Sequence, residues 1–269
     1  EETENSLKLV TDKDNDLSAI TLDISDLTIP LIWRYVSTAY RSGYDEIHIW
    51  WEDKNSKKKN FYTAFSYDTL DYIFKNKSPE LSPVETIQAL INRFIGVEII
   101  DQRATQCVVK ELGETTYKEF DNALRRIFLL ILSMGEECVE ALKGNDSDLK
   151  TIHMTDTNLD RFEDFCFRVL NKKKYIIPKK TPVIYNIIFL LELIGDEYKR
   201  FSIHYLKCKE YSSERSLKFL TKVNKQFRQF YELFYSFKKE KINDIYEFNK
   251  ELEKHSHGDI GALNQDEQE

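Results

Sequence analysis

The spacing of apolar residues changes character along the chain. Up to about residue 113 it switches between a period of two and a period near 3.6. "AITLDIS" places Ile20, Leu22 and Ile24 on one side, as a strand does. "DLTIPLIWRYVSTAYRSG", with Pro30 near its start and Gly43 at its end, predicts a helix. "DEIHIWW" returns to strand spacing through Ile47, Ile49 and Trp51, before the lysine-rich turn "DKNSKKKN", read as solvated. In "SPVETIQALINRF", Ser82, Pro83 and Glu85 occupy cap, first-turn and capping-box positions, and the strand-like runs "GVEIID" and "CVVKEL" follow.

After residue 113 the helical period takes over. Leu124, Ile127, Ile131, Met134, Cys138 and Leu142 recur every three or four residues from Phe120, and "GND" closes this first long helix. Further helices are predicted over about 148–170, 182–206 and 213–238, with another near "INDIYEFNKELEK". Short connections make them antiparallel neighbours. The expected fold class is α+β: a small N-terminal α/β layer domain, 18–113, precedes a helical bundle, 114–256. Residues 1–17 read as a polar leader, the remnant of a preceding domain, and 257–269 as a polar tail.

Composition narrows the chemistry. The 269 residues are 41% hydrophobic, enough for a sizeable core, and only eight Gly and five Pro favour long elements. A net charge of −7 disfavours nucleic acid as the main partner. Cys107, Cys138, Cys166 and Cys208 form no CxxC pair, so neither a zinc ribbon nor a disulfide framework is indicated. The most apolar runs fall short of the ~20 residues that span a bilayer, so a cytoplasmic protein without membrane insertion is expected.

Two acidic pairs stand out. "LLELIGDEYKRF" sets Glu192 and Asp196 four apart in an apolar helix, and "MTDTNLDRFEDF" does the same with Asp156 and Asp160. That spacing stacks both side chains of a pair on one helix face. Burying a lone carboxylate costs several kcal/mol, about as much as a small domain can lose, so the pairs invite a counter-charge. A metal ion (iron, zinc, manganese or magnesium) is one answer; an ion pair with Arg125, Arg126 or Lys199 is the other. Glu163 and Asp164 lie one turn beyond Asp160 and read as solvated. Gly195, inside a helix, implies a close approach by a neighbour.

These residues also carry a resemblance. "LLELIGDEYKRF" resembles the "ERIGD" helix of PhoU-type phosphate-uptake regulators, "DLKTIHMTDTNLDRF" resembles the helix before it, and "FDNALRRIFLLILSMGEECVEAL" looks like the family's first helix, with Met134 in its middle. The three occur in family order over about 118–207. "YRSGYDEIHI" and "FIGVEIIDQ" look like the segment that joins an AbrB-type DNA-binding hairpin to the bundle in archaeal members. The hairpin itself is not visible here, and the second helical repeat is incomplete.

What the resemblance implies is a non-enzymatic regulator of phosphate uptake and intracellular phosphate homeostasis. Its partners would be a phosphate transporter or its sensor kinase, or a second copy in a homodimer, with DNA as a partner only through an N-terminal reader. It further implies metal binding at Asp156, Asp160, Glu192 and Asp196. A transcriptional regulator of the AbrB/PhoU type and a carboxylate-bridged metalloenzyme remain alternatives. No Glu precedes a His by three residues, as di-iron helices require, and no G-x-S-x-G, P-loop or Rossmann glycine pattern occurs.

Overall fold

A computed structural model describes residues 17–52, 82–113, 116–146, 149, 151–207 and 213–259. The turn at 53–60 and the predicted start of the second bundle helix at 148 lie outside them. The chain is α+β, a small four-stranded sheet followed by a long helical region.

In the sheet, strands β1 (Ala19–Asp23), β2 (Glu46–Trp50), β3 (Val97–Gln102) and β4 (Gln106–Glu111) lie in the order β1-β2-β4-β3. β1 runs parallel to β2, and β4 is antiparallel to both of its neighbours. Period-two spacing puts Leu22, Ile47, Ile49, Val97, Cys107 and Val109 on one buried side. Two helices cover that side. In α1 (Ile29–Arg41), residues Ile32, Val36, Ala39 and Tyr40 face inward, and Gly43, at φ +91°, turns the chain out of the helix. α2 (Pro83–Ile91) begins with the expected Ser82–Glu85 capping box. Just beyond it Phe94 stacks on Tyr40, ring centroids 4.0 Å apart.

The bundle starts at α3 (Tyr117–Leu142), whose Thr116–Glu119 capping box the apolar pattern did not reveal. Its stripe from Phe120 to Cys138 is buried as expected, and Gly144 at φ +99° ends it. α4 (Ile152–Lys173) returns antiparallel, so that Tyr117 near the start of α3 donates to the Lys173 carbonyl near the end of α4. A 3-10 turn at Pro178–Lys180 leads into α5 (Thr181–Lys207). Gly195 there answers to α4: a Cβ on it would lie 2.7 Å from the buried Leu159 Cδ1, so a side chain rather than a backbone makes the close approach.

α6 (Glu214–Tyr235) lies antiparallel along α3, and α7 (Glu240–Asp259) folds back on α6. Phe128 of α3 is ringed by Phe227, Phe230, Tyr231, Phe234 and Tyr235 of α6. Asn224 ties three helices together, donating to the Gly135 carbonyl at 2.6 Å and accepting from the Tyr198 hydroxyl at 2.6 Å.

The α/β layer docks on α4 through α1. Arg168, 1% exposed, donates to the Tyr40 and Tyr44 carbonyls and lies 3.2 Å from Glu111. Lys172 pairs with Asp45 and Glu111, and Asn171 donates to the Arg41 carbonyl. The last carbonyls of α1 and that of Tyr44 thus receive hydrogen bonds from α4, which fixes the helix against the layer.

Candidate functional site

The same face of α4 carries acids in its first half and bases in its second. From the start of the helix, Asp156, Asp160, Glu163 and Asp164 follow at steps of four, three and one, and α5 brings Glu192 and Asp196 to the opposing side. The four acids singled out in the sequence therefore belong to one neighbourhood. At its centre is a lysine.

Lys199 Nζ lies 2.8 Å from Asp156 Oδ2 and 2.5 Å from Asp196 Oδ1. Its position three residues after Asp196 on α5 points the amine back across the gap towards α4. Asp156 is 1% exposed, so its carboxylate has almost no water to replace this partner. Burial alone would disfavour the Lys199 ammonium, but the two aspartates outweigh it and hold the lysine above its ordinary pKa. Burial raises Asp156 in turn, and Lys199 only partly offsets this. Of the three cations expected as counter-charges, Lys199 is the one used; Arg125 lies over the Tyr235 ring at 4.2 Å.

The other two cations come from the α/β layer. Arg93, just past α2, reaches Asp160 Oδ2 at 3.1 Å while its guanidinium lies 5.1 Å from the Trp33 ring centroid. Arg41, in the last turn of α1, donates through Nε to Asp164 and sits 3.4 Å from Glu163 Oε2. The expectation that Glu163 and Asp164 are solvated is corrected by this arrangement. At 5% and 3% exposure they are among the most buried charged residues described, because the α/β layer covers this half of α4.

Six carboxyl groups here meet three cations, and the surplus appears as retained protons. Burial pushes Glu163 up to about 9, since Arg41 cannot neutralise two carboxylates and Asp164 holds it more closely. Burial, with the Asp156 charge adding to it, pushes Asp160 up to about 8. Glu192, beside Asp196, is raised to about 7 by burial first and by that neighbour second. Burial thus favours the protonated form of the carboxyl groups that the three cations do not neutralise.

Among the described residues no three His, Cys, Asp or Glu side chains converge as a metal-holding group. The gap between Asp156 and Asp196, where an ion would bridge the two helices, holds the Lys199 amine. As arranged, the carboxylates do not fit a metal; an ion would have to take the place of Lys199. Cys107, Cys138 and Cys166 are buried free thiols.

Arg41, Arg93 and Arg168 are functional side chains that the sequence reading missed. The available signal was the concentration of acids on one face of each of two helices, which calls for cations from elsewhere. Which arginines supply them is decided only when α1 and α2 come to rest on α4.

Fold and site define an α+β protein in which a buried carboxylate–cation cluster locks a helical bundle to a four-stranded α/β layer. No protein-family model, curated protein or solved structure matches the chain. Among the described residues no helix is long and apolar enough to cross a membrane.

Proposed function

We propose that the protein is a PhoU-type regulator of phosphate uptake and intracellular phosphate homeostasis, acting in the cytoplasm through protein contacts. The observation that carries the reading is the pairing across the bundle. The "TDTNLD" acids of α4 and the "ELIGD" acids of α5 face one another, on the segments whose order and wording resemble that family. The cluster offers no activated nucleophile among its members, and its charges are spent on one another, which suits a device that holds or releases a conformation. Partners of this reading are a phosphate transporter or its sensor kinase, with a homodimer as the assembling form. The metal that the resemblance implies (iron, zinc, manganese or magnesium) would be held by Asp156, Asp160, Glu192 and Asp196 only if Lys199 left the gap it fills.

Transcriptional control of the AbrB/PhoU kind is the second reading, supported by the resemblance of "YRSGYDEIHI" and "FIGVEIIDQ". The carboxylate-bridged metalloenzyme has no supporting observation, since Lys199 stands where its bridging ion would. The test is genetic and quantitative. Deleting the gene should raise phosphate import under phosphate-replete conditions, and the wild-type gene should restore restraint while a D156N/D196N variant should not. Import unchanged by the deletion, at high and at low phosphate, would sink the proposal.

A further inference from the structure

The connection between α4 and α5 reads "KKKYIIPKK" over residues 172–180. Lys172 is engaged inward with Asp45 and Glu111. The other four, Lys173, Lys174, Lys179 and Lys180, are exposed, and none forms an ion pair with a carboxylate among the described residues. Glu119, the acid that feels Lys173, is committed to the Thr116 cap.

Between the two lysine pairs stand apolar side chains that none of the described residues covers. Ile176 and Ile177 are 60% and 47% exposed, and Val183, in the first turn of α5, is 59% exposed. Tyr185 and Phe189 continue the apolar surface along α5 around a cavity of about 380 Å³ that Thr181, Pro182 and Asn186 complete. From 173 to 191 the sequence contains no acidic residue, in a chain whose net charge is −7. Concentrated positive charge stands beside exposed aliphatic residues.

We propose that this connection is a docking finger for the surface of an anionic lipid bilayer. The four lysines meet headgroup phosphates, and Ile176, Ile177 and Val183 enter the boundary between headgroups and acyl chains. Lysine stems extend along apolar surface while their ammonium groups stay in water, so both groups work at the same depth. A second copy of the chain is the poorer occupant, because pairing the fingers brings eight ammonium groups together with no acid to receive them. An acidic peptide would use the lysines and leave the isoleucines in water. This surface is on the far end of α4 from Asp156, and the proposal stands apart from the phosphate reading.

The experiment is co-sedimentation of the full chain with vesicles of 70:30 phosphatidylcholine and phosphatidylglycerol at 0.1 M salt. Binding is expected there, with pure phosphatidylcholine at least tenfold weaker. Each lysine near an anionic surface is worth about a fivefold change in partitioning, so K173Q/K174Q/K179Q/K180Q should lose about a hundredfold or more. Ile176→Ser with Ile177→Ser should lose roughly tenfold, and 0.5 M salt should release the wild type. All six positions are exposed or nearly so, and an unchanged far-ultraviolet dichroism spectrum shows that the variants fold. The proposal is overturned if the wild type does not sediment with anionic vesicles, if neutral vesicles bind equally, or if either set of substitutions leaves binding unchanged. Light scattering that shows a dimer abolished by the isoleucine change would assign the finger to self-association and overturn it as well.

Discussion

Replacing Lys199 by Met keeps most of the side-chain volume and removes only the charge at the centre of the cluster. Asp156, 1% exposed and with its Oδ2 2.8 Å from the lost amine, would then be a buried carboxylate without a counter-ion. Breaking a buried pair from one side costs about 3–5 kcal/mol. The Asp196 contact contributes less, because that side chain is 23% exposed and water can replace the lysine there. For a chain of this size about 1 kcal/mol corresponds to roughly 2–4 °C, so the melting temperature should fall by roughly 6–20 °C at pH 7.5. The sign with pH follows from Asp156. Its folded pKa is raised, so the stability it contributes is full below its unfolded value and lost as pH rises. Without Lys199 to offset that loss, the variant's deficit should shrink at pH 5 and grow at pH 8. Adding Asp156→Asn removes the orphaned charge, and the double variant should recover at least half of the loss. Urea unfolding followed by circular dichroism measures all four corners of the cycle. A loss below about 1 kcal/mol, or strictly additive effects of D156N and K199M, would refute the claim that the two residues form one buried unit.

Three further expectations come from the same structure. Glu192, Asp160 and Glu163, raised to about 7, 8 and 9, contribute stability that is full below about pH 4 and lost as pH rises through those values, so calorimetry should show a lower melting temperature at pH 9 than at pH 6, with a smaller difference in E163Q; a melting temperature that climbs from pH 6 to 9 would contradict it. Gly135→Ala puts a Cβ 2.9 Å from Asn224 Oδ1, inside the hydrogen-bonded link between α3, α5 and α6, and should cost about 1–3 kcal/mol in chemical denaturation despite alanine's better helix propensity. If an ion exchanges with Lys199, 1 mM manganese should raise the melting temperature of K199M by several degrees more than that of the wild type; equal shifts would mean that the lysine does not guard the site.

The elements of this protein were legible in the sequence because they depend on periodicity and on local hydrogen bonding. Leu22, Ile47 and Ile49 turned inward as alternation required, the Ser82–Glu85 box formed, and the stripe from Phe120 to Cys138 was buried. Helix ends depended on caps a few residues away, which a sequence displays. The acids were legible too, since Asp156, Asp160, Glu192 and Asp196 had to share faces of their helices. What answered them was not. A metal ion and an ion pair were both compatible with that spacing, and the choice of Lys199, Arg93 and Arg41 was made by contacts between residues up to 123 positions apart. Glu163 and Asp164 followed the same logic: on an isolated helix they are solvated, and only the arrival of α1 buries them. Local pattern is a property of neighbouring residues, whereas the partner of a buried charge is set by which helices pack together, and that is decided by the tertiary structure alone.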